Sequence, residues 1–178
     1  RIRSYPSPMT ARCLSNQIEQ SSVDALVEAC VSGFPIVARY YRLKQKLLGL
    51  SELFDYDRYA PLSSDLPSYN WATAQDIVLE SYNEFSSTLG DIARRAFAER
   101  WIDAELRPGK RGGAFSMGGT TSTHPYILAN YTDTVRDVMT IAHEMGHTVH
   151  QFLSYGVGYL QAHTPLTTAE TASVFGEM

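Results

Sequence analysis

Apolar positions recur at helical intervals through most of the 178-residue chain. The first fifteen residues are an exception, because Pro6, Pro8 and several serines predict an extended segment or a loop. A first helix is predicted from Ser21, and Gly33 and Pro35 are expected to kink or break it.

The same periodicity predicts further helices, several with a capping residue or a glycine at one end. They cover Ile36 to Leu48 with Gly49 as the stop, Thr73 to Tyr82 with Thr73 as the cap, Thr88 to Trp101 after Ser86 or Ser87, a helix from Thr132 or Thr134 to Ser154, and a last helix from Thr167. The segment from Leu50 to Asn70 is aromatic, acidic and rich in proline, which predicts irregular structure.

Two short strands are predicted between the fourth and fifth of these helices. Arg107 to Gly113 is rich in turn residues, and the strands Ala114 to Met117 and Pro125 to Tyr131 follow it. The predicted fold class is therefore mainly α, with a small β-sheet beside the helix that ends at Ser154.

Composition narrows the class of protein. Hydrophobic residues make up 44% and charged residues 19%, which is typical of a soluble globular domain. Residues 1–178 are predicted to form a single region of one domain. No apolar run approaches a membrane span in length, and a net charge of −4 offers no basic patch for nucleic acid. Cys13 and Cys30 lie in no metal or disulfide pattern, so two reduced thiols and a cytoplasmic protein are expected.

The two ends of the sequence predict an internal fragment of a longer polypeptide. The chain begins at Arg1 instead of a methionine, and Met178 falls inside a predicted helix.

One motif carries chemistry. His143 and His147 are four residues apart on a predicted helix, so their imidazoles lie one turn apart and can reach a single Zn²⁺ ion. Glu144 lies at the edge of the same face, where it can contact the zinc ion's water without binding the metal itself. The pattern predicts a catalytic zinc site with Glu144 as general base.

The alternative is a surface helix that happens to carry histidines. The helix has a broad apolar side and a polar stripe opposite; the apolar side comprises Val135, Val138, Ile141, Ala142, Met145, Val149, Phe152 and Leu153, and the stripe Arg136, Thr140, His143, Glu144, His147, His150 and Gln151. Three of the five histidines of the chain fall within that stripe, which favours the metal site. Gly146 also costs helix stability, which indicates that another element packs closely there.

A third ligand must come from elsewhere in the chain, and spacing tests two zinc-peptidase classes. The metzincin pattern would need a histidine where Leu153 stands and a glycine where His150 stands, so that class is excluded. Thermolysin-like spacing would need a glutamate where Leu166 stands, so that class is excluded as well. Downstream of the motif the acidic residues are Glu170 and Glu177.

Glu170 is the better third ligand, because it lies near the start of the next predicted helix. Thr167 and Glu170 also have capping-box spacing, so the alternative is that Glu170 caps that helix. Glu177 lies two turns later on the same face and is a candidate partner for a zinc-bound histidine.

The combined motif resembles the oligoendopeptidase F family of thimet-oligopeptidase-like zinc metallopeptidases. The resemblance rests on His143-Glu-Met-Gly-His-Thr-Val-His150, on Ala169-Glu-Thr-Ala-Ser173 with Glu177, on Gly109-Lys-Arg-Gly-Gly-Ala114, on Pro125-Tyr-Ile-Leu-Ala-Asn-Tyr131 with Asp137-Val138, on Arg39 to Leu50, and on Asp57-Arg-Tyr-Ala-Pro61.

The resemblance implies a zincin-like, α-helical, clamp-shaped catalytic domain, of which this chain is a part. It implies one Zn²⁺ ion held by His143, His147 and Glu170, and a channel that admits short unstructured peptides. Gly112 to Ser116 would then be an edge strand that binds extended peptide, with Gly112, Gly113, Ala114 and His150 as substrate-binding candidates. The family's Tyr- and His-bearing segment that stabilises the oxyanion matches no residue here.

The function predicted from the sequence is zinc-dependent hydrolysis of short oligopeptides. Two alternatives stay open: a zinc-binding fragment that is catalytically incomplete, and a peptide-binding module of the same fold without catalysis. Neither nucleic acid nor a membrane is expected as a partner, and the oligomeric state is left open.

Overall fold

The computed structural model describes residues 4–63 and 66–178. These residues form two compact units, one extending to Leu66 and the other covering Pro67–Met178. The candidate site lies entirely in the second unit.

The first unit contains two helices, α1 (Thr10–Asn16) and α2 (Gln20–Leu47), and a short 3₁₀ turn at Asp55–Tyr59. Helix α1 corrects the prediction of a loop over the first fifteen residues, of which 1–3 lie outside the described part. Its C-terminal end is set by Gln17, whose φ of 55° is in the left-handed region and whose N–H reaches back to the last turn.

Helix α2 also corrects the sequence prediction, because it runs unbroken through Gly33 and Pro35. Pro35 has no backbone N–H and so removes one hydrogen bond of the helix, and the helix nevertheless continues on both sides of it. Gly49 ends the helix as predicted, with a φ of +67° that suits glycine.

By length and composition alone, α2 qualifies as a helix that could cross a membrane, with a mean hydropathy of 1.4 over 18 residues. A long apolar helix that packs against other protein passes the same test, so we infer no membrane association from it.

The second unit begins with two helices, α3 (Trp71–Phe85) and α4 (Ser87–Ala98). The N-cap of α3 is Asn70, whose side chain accepts a hydrogen bond from the Thr73 N–H, so Thr73 is not the cap. Helix α4 follows Ser86 as predicted but ends before Trp101. Arg100 takes a φ of 60°, and the chain turns there so that the Trp101 side chain enters the core.

Three short strands form one sheet: β1 (Ile102–Asp103), β2 (Phe115–Met117) and β3 (Tyr126–Leu128). Their order is β1-β3-β2, with β1 parallel and β2 antiparallel to the central β3. The two predicted strands are confirmed with narrower bounds, whereas β1 directly follows the stretch predicted to be helical and was not predicted. Strand β2 is left at one edge of the sheet.

Two helices complete the unit, α5 (Val135–Ser154) and α6 (Leu166–Glu177), and they pack against each other. Fully buried side chains of α3, α5 and the sheet region form the core, among them Val78, Trp101, Ile127, Ile141 and Met145. The prediction of a mainly helical chain with a small sheet beside the histidine-bearing helix is confirmed.

Lys110 holds the turn-rich loop to the sheet. Its ammonium group donates to the carbonyl oxygens of Asp103, Glu105 and Ala129 at 2.9, 2.9 and 2.6 Å, and its side chain is 2% exposed. Asn130 donates to the Arg111 and Gly113 carbonyls from the other side. The loop before β2 is therefore anchored at the ends of β1 and β3.

We predict that Lys110→Met lowers the free energy of unfolding by about 2–4 kcal/mol, because the carbonyl oxygens at these strand ends lose their charged donor. Urea denaturation measures the effect. Lys46→Met is the control, since Lys46 lies exposed on α2 and its loss should cost under about 0.5 kcal/mol. Equal effects of the two substitutions would contradict this role of Lys110.

Candidate metal centre

A capping box begins helix α5 and sets the position of its histidines. Thr134 accepts a hydrogen bond from the Asp137 N–H, and the Asp137 carboxylate accepts one from the Thr134 N–H. Burial acts to raise the pKa of Asp137, but hydrogen bonds from Thr132 and Thr134 hold it below its usual value. The Asp137 carboxylate therefore keeps its charge to lower pH than an ordinary aspartate does. Of the two predicted helix starts, Thr134 is the one observed.

Three predicted ligands meet at one point. Nε2 of His143 and Nε2 of His147 each lie 3.6 Å from Oε2 of Glu170. The two imidazole rings are 5.0 Å apart between centroids and nearly perpendicular. The ligand atoms of all three residues lie within 4.8 Å of one another.

This spacing fits a zinc ion. Two ligands bound about 2.1 Å from a tetrahedral ion are about 3.4 Å apart, close to the distances seen here. Burial lowers the pKa of His147, opposed by the carboxylate of Glu170, so its neutral, metal-binding form is favoured. Two imidazoles and one carboxylate are a donor set of catalytic zinc sites.

Glu170 takes part in this cluster and does not occupy the capping position of α6. The N-cap of that helix is Pro165, so Glu170 lies beyond its first turn. The hydroxyl of buried Ser173 donates to Oε2 of Glu170 at 3.0 Å and so holds the oxygen that faces both histidines. The spacing of Ser173 three residues after Glu170 is a sequence signal that could have revealed this contact.

Glu177 lies on the opposite side of His143. Its Oε1 is 2.5 Å from Nδ1 of His143, which leaves Nε2 of the same ring facing Glu170. A carboxylate at Nδ1 fixes the tautomer and orientation of a ligating histidine. The geometry suits the predicted partner role, which stays a prediction.

Glu144 is buried, with 6% of its surface exposed, although the sequence placed it on a polar stripe. Burial raises the pKa of its carboxyl group, opposed by nearby His143 and by a hydrogen bond from the Ser116 backbone N–H. Its Oε2 has no hydrogen-bond partner among the described residues. A buried carboxylate oxygen without a donor, next to a ligand cluster, fits a site that also holds water or an ion.

The burial of α5 differs from its predicted apolar side in three further places. Val135 and Leu153 are 46% and 50% exposed, whereas Thr148 is fully buried. The buried hydroxyl of Thr148 is satisfied by a hydrogen bond with that of Ser116 at 2.9 Å. Ser116 also donates to the side chain of Gln151 at 2.9 Å, so one face of α5 holds β2. Sequence analysis missed this link, since neither serine nor threonine marks a contact between distant segments.

The predicted substrate-binding residues lie around β2 and α5. Gly112, Gly113 and Ala114 immediately precede β2, and Gly113 has a φ of +83° that an L-residue would adopt only under strain. His150 is half-buried and lies three residues after His147 on α5. Their roles stay predictions. A separate cavity of about 640 Å³, lined in part by Trp71, Arg100 and Tyr131, includes none of the predicted site residues.

Comparison with known families gives one match over the whole chain. The model of peptidase family M3 matches residues 1–178. The chain is 35% identical over 178 residues to the oligoendopeptidase F homolog of Lactococcus lactis subsp. lactis, covering 99% of this chain and 30% of that protein. It is 32% identical over 185 residues to oligopeptidase PepF of Bacillus subtilis, covering 99% and 27%.

Solved structures share the fold. A crystal structure described as a peptidase, from Chlamydophila abortus, has a TM-score of 0.74 and 32% identity, over 99% of this chain and 30% of that one. PZ peptidase A with inhibitor 2 has a TM-score of 0.70 at 22% identity, over 80% and 26%, and supports the fold alone. The chain thus spans about 30% of the length of the curated Lactococcus lactis relative.

We predict that Zn²⁺ raises the melting temperature of the chain, because an ion present at about 100 times its dissociation constant stabilises the folded state by about 2.7 kcal/mol. His147→Ala should remove most of this shift in a thermal unfolding experiment. His163→Ala is the matched control, since His163 is exposed and outside the cluster, and it should keep the full shift. A full shift in His147→Ala would place the zinc elsewhere.

Proposed function

The chain belongs to peptidase family M3, and from this premise we propose that it carries the metal centre and the general base of a zinc oligoendopeptidase. The resemblance to the oligoendopeptidase F family is confirmed by relatives of that name across the chain. Zinc, the base and the substrate are the parts of the proposal that the comparisons leave open.

One observation carries the proposal: a single oxygen of Glu170 lies at the same distance, 3.6 Å, from both motif histidines. A capping or surface role for Glu170 would not require this convergence. His143, His147 and Glu170 would hold the ion, and Glu177 would hold His143 in the orientation that binding requires. When bound there, zinc would lower the pKa of water and polarise the scissile carbonyl group.

Glu144 is placed to move protons. Its carboxylate would accept a proton from the attacking water through the unpartnered Oε2, and would then deliver it to the nitrogen of the departing amine. Burial raises the pKa of this carboxyl group above its ordinary value, which makes it a better acceptor for the proton of the water. The Ser116 N–H holds the carboxylate in place during both transfers.

The edge strand β2 supports the choice of a peptide as substrate. It lies at the border of the sheet and is fixed to α5 by Ser116, next to Glu144. An extended peptide can add to such an edge through backbone hydrogen bonds, which would bring its carbonyl groups near the base. Short, unstructured peptides meet this requirement more readily than folded proteins.

A second candidate is a zinc-binding part of a peptidase that is not active by itself. The observation that favours it is the coverage of about 30% of the Lactococcus lactis relative, which leaves room for substrate-binding residues elsewhere. A binding module without catalysis is less favoured, because Glu144 is present and buried beside the ligands. Cytoplasmic location and the lack of nucleic-acid or membrane partners stay predictions.

We predict that Glu144→Gln lowers peptide hydrolysis by at least about 10²–10⁴-fold while zinc content stays near one ion per chain, because the amide cannot accept the proton. A quenched fluorescent peptide measures the rate, and atomic emission measures the zinc. Glu52→Gln, an exposed residue, should leave both unchanged. Retained activity in Glu144→Gln would overturn the assignment of the base.

The same assay separates the two candidates when the 178-residue chain is compared with the longest polypeptide in which it occurs. Zinc binding with hydrolysis by the longer polypeptide alone would favour the incomplete part. Hydrolysis by both would favour a self-sufficient enzyme.

A further inference from the structure

Helices α5 and α6 approach so closely that their backbones touch. A Cβ atom added at Gly146 would lie 2.5 Å from the Ala172 carbonyl oxygen and 2.8 Å from the Ser173 Cα. A Cβ atom added at Gly176 would lie 3.1 Å from the Gly146 Cα. The close packing predicted at Gly146 is therefore confirmed, and a second glycine faces it from α6.

Tyr82 of helix α3 closes this contact from a third side. Its hydroxyl donates a 2.7 Å hydrogen bond to the carbonyl oxygen of Ala142, and its side chain is 5% exposed. The same hydroxyl oxygen occupies the space that a Cβ atom at Gly176 would need. Burial, together with the charge of Glu177, raises the pKa of Tyr82, so the hydroxyl stays protonated and able to donate.

The contact sits between the residues of the metal centre. Ala142 directly precedes His143, and Gly176 directly precedes Glu177. Glu170 lies on the same helix, held by Ser173 at the point where α6 crosses Gly146. Phe85 of α3 also packs edge-on against Phe175, with centroids 4.7 Å apart, so α3 supports α6 along the same side.

We propose that Tyr82, Gly146 and Gly176 form a three-helix contact that positions Glu170 and Glu177 against the histidines and so sets the affinity of the metal centre. In this account Tyr82 is a positioning residue, which does not touch metal or substrate. The inference rests on the proposed zinc site and adds a residue from α3 to it.

The physical basis is the narrow tolerance of a metal site. Ligand distances must agree with their expected values to within about 0.2 Å. A methyl group at Gly176 must displace either the Tyr82 hydroxyl or the α6 backbone, since the Ala142 oxygen is also only 2.8 Å away. A displacement of a few tenths of an ångström moves Glu177 and Glu170 by comparable amounts and weakens binding.

The test measures zinc dissociation constants of the full chain by competition with a chromophoric chelator. Tyr82→Phe should weaken zinc binding by about 5- to 20-fold, and Gly176→Ala by about 30-fold or more. Mutation of residues that hold metal ligands in place typically lowers metal affinity by about 10- to 100-fold. Co²⁺ in place of Zn²⁺ should show altered visible absorption bands in both variants, because those bands respond to ligand arrangement.

The double variant Tyr82→Phe with Gly176→Ala distinguishes positioning from general loss of stability. Removing the hydroxyl makes space for the new methyl group, so the double variant should bind zinc more tightly than Gly176→Ala alone. Two independent losses of stability would instead add. Tyr159→Phe and Gly156→Ala are the controls, since Tyr159 is exposed and Gly156 has no neighbouring atom within 4 Å.

Each outcome decides one claim. Suppose that the unaltered chain binds zinc and that His147→Ala abolishes this binding. If Tyr82→Phe then has the zinc affinity and the Co²⁺ absorption bands of the unaltered chain, the positioning role is overturned and the proposed function stands. No zinc binding by the unaltered chain would overturn both. If Gly176→Ala does not fold, Tyr82→Phe decides the question by itself, with its melting temperature as the check that it is folded.

Discussion

The metal centre depends on the contact of α6 with α5. The HEMGH motif offers two proposed ligands from α5, and the proposed third, Glu170, comes from α6. Gly146 lets the α6 backbone approach to within contact distance, and this places Glu170 against both imidazoles and Glu177 behind one of them. A larger residue at Gly146 or Gly176 would separate α5 from α6 and so move Glu170 and Glu177 away from the histidines. The close packing of the two helices is therefore what the geometry of the cluster requires.

The environment of Glu144 follows from the same arrangement. Helix α5 has α6 on one side and β2 on another, so a carboxylate on its motif face is withdrawn from solvent. An isolated buried carboxylate is unfavourable, and here the Ser116 N–H and the neighbouring His143 oppose the rise in pKa that burial causes. A cation bound by His143, His147 and Glu170 would stabilise the ionised form of Glu144 further, and so would offset part of the cost of burying this carboxylate.

Sequence predicted the parts of this fold that depend on local pattern. Helix periodicity and the Thr134 cap located α5, and the four-residue spacing of its histidines predicted two side chains that converge on Glu170. Prediction was less accurate where distant residues decide, as at Trp101, which leaves the helix to fill the core. Two local predictions were also wrong, because α2 continues through Pro35 and because Asn70 rather than Thr73 caps α3. Glu144 is buried by β2, and Tyr82 reaches Ala142 across 60 residues of sequence, contacts that no periodicity encodes.

The proposed function depends on one zinc ion held by His143, His147 and Glu170. The most direct test is an anomalous difference map, recorded at the zinc absorption edge, from crystals of the chain grown with Zn²⁺. We expect a single strong peak about 2.0–2.2 Å from Nε2 of both histidines and from Oε2 of Glu170. A peak that excludes Glu170, or one that lies between Glu170 and Glu177 away from the histidines, would contradict it.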